Sequence, residues 1–466
     1  MTGPLTSLRQ RRRSWLLASG LLVTELVAGI QTYLSQTVLP FMADELAARE
    51  EYGVVIAAGW IATFVGMPLG VGLSRRLGVG RILVVATVVL IGGSILAALA
   101  PTLWVYILGT IVRGVAGGSL ATVSMSALVV GLQGRTRQLV LAGMAGMWVI
   151  AALVGPTYAA SVTGSLGWRW ALVVYLPVVL AARMLVAAHL PATETTASAP
   201  IDLRQALLLG LAMAALTVPG LTGLVQLALM VVAGALMLVS LRALLPVGTF
   251  GLLSRRRSAF AVLLVLCGAY FGTDAVLTPI AHDVFAMTPT QLNILLTAGG
   301  LGWAITGLAC GARPAATPSA YLRRAATGTV LLFGGIGWLA VLDGGRATTP
   351  WLMTIAWTIS GVGMGLVYVD TLNVIFTPPP AGDGLDDLSV SAGVVIAESV
   401  AAAFAGTATG SYLGQGFGII PAIEIRAHTV LLALAVVTLG LVAPLIAIRR
   451  QWQPDQTPDG LAGSVG

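Results

Sequence analysis

The chain reads as an all-α polytopic membrane protein of fourteen spans, arranged as two six-helix bundles with two additional spans between them. Three observations carry that reading. Of 466 residues, 57% are hydrophobic and 9% charged, whereas about a quarter of a soluble domain is charged. Apolar runs long enough to cross a bilayer, roughly 17–25 residues, recur along the whole chain. The arginines gather in alternate connections between those runs. With a mean hydropathy of +0.94 the chain cannot cover a water-facing surface, which excludes a cytosolic enzyme.

A basic segment, 1–13, precedes the first span, 14–41, which is too long for a signal peptide, lacks a clear cleavage site and is expected to be retained. Runs at 52–74, 82–100, 103–130, 138–163 and 170–190 complete a first set of six, 14–190. After the polar break PATETTASAP, two short runs at 205–221 and 223–246 form a central pair within 203–246. Runs at 258–281, 290–310, 325–342, 351–377, 388–413 and 428–448 make a second set of six, 258–450, and the polar tail 451–466 is expected to be disordered.

Arginine placement decides that the central pair crosses twice. With fourteen spans and a cytoplasmic N-terminus, the inner side holds the basic start, Arg75, Arg76, Arg81, Arg135, Arg137, Arg183, Arg204, Arg242, Arg255, Arg256, Arg257, Arg313, Arg323, Arg324, Arg449 and Arg450. The outer side holds Arg49, Arg169, Arg346 and Arg426. A single crossing would invert the second half and break the positive-inside bias. Both termini are then cytoplasmic, and the cell (plasma) membrane of a bacterium is the expected location; separately, all 25 basic residues are Arg, as a GC-rich genome would give. The net charge of +7 reports topology and not a nucleic-acid partner. Trp15, Trp104, Trp168, Trp170 and Trp351 fall at span ends and read as interface anchors. Cys267 and Cys310 lie in apolar runs, so neither a disulfide framework nor a metal site is indicated. No cofactor is expected, and a monomer in the lipid bilayer is the expected form.

Ionisable groups inside spans cost about 2.5–3.5 kcal/mol each on insertion scales and mark function by default. Glu25, Arg113, Asp274, Asp370 and Glu398 qualify. Asp370, near a span end, is as readily a structural contact. Burial penalises a charged carboxylate and a nearby Arg favours it, so such a group can take up and release a proton. Arg113 stays charged and would tune a carboxylate, with Glu25 and Asp274 as candidate partners. Gly114, Gly117 and Gly118 after it permit close helix approach with no transport role required. In the fifth span Gly146 is followed by Gly155-Pro156, where Pro removes a backbone donor and bends the helix.

These segments resemble the major facilitator superfamily, specifically its fourteen-span drug:proton antiporters. RGVAGGSLA resembles the fourth-span motif, with Arg113 in the Arg position that the resemblance ties to proton coupling. GPTYAA is similar to the fifth-span antiporter motif, with Ala159 and Ala160 replacing the usual glycine pair, and GWRWALVVYLP resembles the opening of the sixth span. The loop between spans two and three departs from the pattern. Aligned on Gly78, Arg75 holds the position of the usual Asp, Arg76 keeps a basic one, and Arg81 stands in for one of the lost pair. Asp383, Asp386 and Asp387 are candidate partners for this gate loop. In the first span Gln31 replaces the usual Asp.

Tyr33, Trp60, Trp148, Trp303 and Trp357 lie within spans and could wall a cavity for bulky apolar or cationic compounds, though any one of them could simply pack between helices. The resemblance implies a secondary transporter that exports amphipathic small molecules in exchange for protons by alternating access, with the proton gradient as its energy source. An exporter of a lipid or an endogenous secondary metabolite is the alternative. A membrane-embedded enzyme is disfavoured because His189, His282 and His428 sit near span ends without metal-ligand spacing.

Overall fold

Inside a bilayer every backbone polar group must find its partner within the chain, and a helix achieves this in one segment. The computed structural model describes residues 4–132, 134–191, 203–218, 223–315, 317–342, 349–377, 384–385, 387–415 and 420–452, and among these it is helical with no strand. The first half comprises α1 (Pro4–Glu45), α2 (Tyr52–Leu77), α3 (Val79–Ala98), α4 (Leu103–Gly131), α5 (Gly134–Leu166), the short α6 (Trp168–Ala171) and α7 (Leu176–His189). The central pair is α8 (Arg204–Leu216) and α9 (Gly223–Leu244). The second half comprises α10 (Arg255–Pro279), α11 (Pro289–Ala312), α12 (Pro318–Leu339), α13 (Thr349–Phe376), α14 (Asp387–Gly414), α15 (Ile420–Thr438) and α16 (Val442–Gln451).

Local chemistry sets the boundaries. Thr288 and Gln291 form a reciprocal capping box at the start of α11, with Pro289 in the first turn. Gly78 ends α2 and begins α3 at φ +90°, a conformation that glycine adopts without a Cβ penalty. Pro156 lies inside α5, which runs continuously across it. Among the described residues, 10 stretches are long and apolar enough to cross a membrane. Arg204–Leu216 and Ala228–Leu244 are shorter apolar helices at the predicted central pair. The 13 residues of α8 reach only about 20 Å at 1.5 Å per residue.

Two cores organise the helices. One is built from α1 to α7, around Leu34, Met42, Leu83, Leu120 and Leu172. The other is built mainly from α10 to α16, around Phe260, Leu266, Leu292, Trp357 and Leu434, with Tyr33, Phe64 and Ala151 contributing from the first half. A small third cluster, Ala212, Leu216 and Ala233, seats the central pair against Phe404 and Ala408 of α14, while Gly210 faces Ile61 of α2.

One end of the molecule, here called the mouth, carries the junction of α1 and α2, the α5–α6 junction and the end of α14. At the opposite end Arg13 donates to the Ala-rich α7 terminus at His189 O (2.8 Å), Arg256 donates to Ile375 O (2.7 Å) and Gln451 Nε2 donates to Leu252 O (2.5 Å). The two halves meet at the mouth. A Cβ on Gly53 would strike Ser411 of α14, one on Gly414 would strike the Glu50 carbonyl, and Thr157 Oγ1 of α5 donates to Asn293 Oδ1 of α11 (3.4 Å).

Trp168 corrects one expectation. It is 4% exposed, so it is no interface anchor; its indole N–H donates to Glu45 (2.6 Å) and its ring packs edge-on against Tyr106. Trp15, Trp104, Trp170 and Trp351 are exposed, as anchors require. Arg169 bonds Glu45 (2.8 Å) and the Ala98 and Ala100 carbonyls, stitching α1, α3 and α6 together. The hydrogen bonds from Arg169 and Trp168 hold the Glu45 carboxyl below its usual range, against a smaller opposing effect of burial. A lowered folded-state value stabilises the fold above the ordinary carboxylate pKa, about 4.3, and that contribution disappears as pH falls through the folded value. Because Glu45 is exposed, the effect stays under about 1 kcal/mol. Glu45→Gln is expected to lower Tm slightly at pH 7, with the gap to wild type closing in acid; a gap that persists at pH 3 would assign the loss to packing.

Candidate substrate cavity

Within α10 the sequence CGAYFGTDA places Tyr270 and Asp274 four residues apart, on one helix face. That face meets α11 and α13. Tyr270 stacks on Trp357 with ring centroids 4.7 Å apart and planes 11° apart. Trp303 approaches both Tyr270 and Phe271, the latter edge-on at 5.7 Å. Trp357 can lie there because α11 offers Gly299 beneath it, where a Cβ would collide with the indole. Tyr33 of α1 closes the wall from the first half, its ring seated on Gly155 of α5. Tyr33, Tyr270, Phe271, Asp274, Leu296, Gly300, Trp303 and Trp357 together enclose a cavity of about 20 Å³. Ligand-filled sites run to several hundred Å³, so the walls are drawn together in this conformation.

Asp274, 8% exposed, supplies the negative charge, within electrostatic reach of both Tyr33 and Tyr270. A second carboxylate sits behind the wall. Tyr368 packs edge-on against Trp303 (5.8 Å) and donates its hydroxyl to Glu398 Oε1 of α14 (2.6 Å). Trp303 and Tyr368 thus stand between the cavity that Asp274 lines and Glu398. Gly299→Ala is expected to push the Trp357 ring aside and weaken binding of an aromatic ligand by up to about tenfold, the worth of one ring pair, as read by quenching of tryptophan fluorescence.

The predicted residues divide. Tyr33, Trp303 and Trp357 line the cavity with Asp274. Trp60 does not; it stacks on Phe64 of its own helix. The side chain of Trp148 lies outside the described residues. Tyr270, Phe271 and Tyr368 are additional members, and the spacing of Tyr270 to Asp274 is the signal that reveals the first. Gln31 donates to Tyr175 (2.9 Å), tying α1 to the α6–α7 connection.

Arg113 corrects a further expectation. Its side chain lies against Gly93 of α3, within electrostatic reach of Tyr106, and among the described ion pairs it has none with Glu25 or Asp274. Glu25 instead lies in reach of Arg183, which is 7% exposed with Nε and Nη1 unpartnered among the described residues. The glycines after Arg113 also differ. A Cβ on Gly114 would meet Ala62 and the Gly59 carbonyl, and one on Gly118 would collide with the Thr63 carbonyl of α2, whereas Gly117 faces open space, as does Gly146.

Asp370 is held at the end opposite the mouth by Arg324 (2.9 Å) and the Ala315 N–H (3.1 Å). In the predicted gate loop Arg76 and Arg81 are exposed around Gly78; the side chains of Arg75 and Asp387, and Asp383 and Asp386 entirely, lie outside the described residues. At the mouth the structure brings together Asp44, His282 and Asp283, a grouping no local spacing announces because 238 positions separate its first two members.

Comparison with known proteins agrees with this architecture. Residues 21–383 match the Major Facilitator Superfamily. The chain is 25% identical over 393 residues to the acurin A biosynthesis cluster MFS-type transporter of Aspergillus aculeatus, covering 80% of this chain and 70% of that one. It is 26% identical over 332 residues to the multidrug resistance protein B homolog of Mycobacterium tuberculosis, covering 67% of this chain and 58% of that one. An efflux pump of Gibberella moniliformis matches at 25% identity, with this chain spanning 31% of its length. Among solved structures, the peptide transporter POT in complex with sulfate superposes with a TM-score of 0.65 at 14% identity, over 94% of this chain and 96% of that one. The human organic anion transporter MFSD10 (TETRAN) gives 0.56 at 14% identity, over 96% and 100%. The chain belongs to the Major Facilitator Superfamily. It is a multi-pass membrane transporter and not an enzyme.

Proposed function

We propose that the protein is an efflux transporter that exchanges amphipathic, aromatic or cationic small molecules for protons. The observation that carries this reading is the aromatic enclosure around Asp274, built by α10, α11 and α13 of one half and Tyr33 of the other. Aromatic faces attract flat apolar bodies and cations, and a carboxylate at their edge favours positive charge. A proton and a cationic substrate would compete for Asp274, which is the minimal chemistry of antiport. Glu398 is a second protonatable group, and Glu25 and Arg113 complete the coupling set as modulators within the first half. Rocking of the two halves about the cavity gives alternating access. The reading includes a monomer of fourteen spans, with α5, α12 and the α8–α9 pair completing the count, both termini cytoplasmic and the plasma membrane of a bacterium as its location. Efflux is supported by the printed names of the low-identity relatives.

The relation to a biosynthesis-cluster transporter over 80% of the chain favours one second reading, export of an endogenous secondary metabolite. Proteoliposomes with an imposed pH gradient test both. Gradient-driven accumulation of cationic dyes supports the proposal, accumulation of a neutral metabolite alone supports the second reading, and accumulation indifferent to the gradient sinks antiport.

A further inference from the structure

We infer that the mouth carries a divalent transition-metal site, of the Zn²⁺ type, between His282 and Asp44, with Asp283 as the carboxylate that orients the histidine. His282 lies in a π-turn, Ile280–Val284, that follows Pro279 at the end of α10; such turns often mark functional positions. Its Nδ1 is 2.9 Å from Asp283 Oδ1. The Asp283 side chain is fully buried, and its other oxygen accepts the Tyr52 hydroxyl at 2.5 Å. Asp283 is thus engaged on both oxygens and fixes the ring in the manner of the carboxylates that stand behind metal-bound histidines. With the proton held on Nδ1, the Nε2 lone pair faces outward.

Nε2 faces Asp44 Oδ2 from 4.0 Å, beyond hydrogen-bond reach. Asp44 Oδ1 accepts from Arg49, which leaves Oδ2 as the oxygen turned to the imidazole. Metal bonds of about 2.0–2.2 Å to each atom at a tetrahedral angle would set them about 3.4 Å apart, a small closing movement. The ligand atoms of the three residues lie within 4.8 Å of one another. A cavity of about 590 Å³ lined by Asp44, Glu50 and Glu51 beside Arg49 opens on the Asp44 side of the pair, giving an excess of negative charge and room for waters that complete the coordination. Imidazole with carboxylate selects Zn²⁺, Cu²⁺ or Ni²⁺ over Mg²⁺ and Ca²⁺.

Arg49 opposes the metal, since it pairs with Asp44 and lies 3.7 Å from Asp283. The site is therefore weak in the wild type and strengthens when that charge is removed. Asp44 ends α1 and His282 follows α10, so a bound ion would tie the two halves together at the mouth. Titration of the purified full chain with ZnCl₂ alone, by calorimetry and by the shift in Tm, is the test. One Zn²⁺ per chain is expected, weakened at least tenfold by His282→Gln and by Asp44→Asn, tightened by Arg49→Gln, and absent with MgCl₂. The variants' metal-free Tm values report folding separately. Failure of the wild type to bind Zn²⁺, or binding that survives His282→Gln in a folded variant, overturns the inference. These readouts need no transport assay, so they stand or fall apart from antiport.

Discussion

Asp274→Asn is expected to leave a folded protein that no longer concentrates a cationic substrate against a pH gradient. The substitution keeps shape and removes the one carboxylate among the described lining residues of the cavity. A charge-assisted contact in a buried site is worth about 1.5–3 kcal/mol, so affinity for a cationic dye should drop about 10–150-fold, while a neutral aromatic ligand of similar shape should bind nearly as before. Dye binding at fixed pH and accumulation in proteoliposomes separate the two effects. If both ligands lose affinity equally, Asp274 supports the wall and does not recognise charge. Glu398→Gln should leave binding largely intact, because that carboxyl lies behind Trp303 and Tyr368 and outside the lining.

How much of this was legible beforehand follows from the range of each signal. Span positions depend on local hydropathy, and α1 to α4, α10, α11, α13 and α14 fall where the apolar runs are. Asp274 stood out because a carboxylate in hydrocarbon is costly wherever it is. Its neighbours were harder to see. Tyr33 reaches the site from a distant helix, and Trp60 was indistinguishable from Trp303 in sequence, since both are indoles within spans and only helix rotation sends one to Phe64 and the other to the cavity. Arg113 shows the same limit: its depth was readable, but the helix face that turns it to Gly93 depends on how α4 packs against α3. The mouth cluster was invisible for a related reason, because Asp44 and His282 meet only once the two halves close.

Gly118→Leu is expected to be the most damaging substitution in the RGVAGGSLA segment, and Gly117→Leu among the mildest. At Gly118 even one carbon would collide with the Thr63 carbonyl, and at Gly66, on the facing helix, with the Val115 carbonyl, so α2 and α4 touch backbone to backbone. Ser119 Oγ, which donates to Gly66 O at 2.8 Å, reports the same proximity. Forcing these helices apart costs about 1–3 kcal/mol per overpacked site and more for a branched side chain, within a fold stabilised by only about 5–15 kcal/mol. Gly117 faces open space, so an added side chain there meets lipid or cavity. Monodispersity and Tm of the two variants in the same detergent should differ by many degrees; equal values would show that α2 and α4 tolerate separation.

The seam at the mouth has a thermodynamic consequence. There Gly53 lies against Ser411 and Gly414 against the Glu50 carbonyl, with Tyr52 and Arg49 reaching Asp283. Hydrocarbon solvates apolar helices as well as they solvate each other, so such a seam gains little beyond close contact and a few polar ties. Under the alternating access proposed above, such a seam would keep two arrangements of the halves within a few kcal/mol of each other, the range in which an equilibrium stays sensitive to what binds. Alternating access would need that near-degeneracy, and the close backbone contacts at Gly53 and Gly414 are where it would be set.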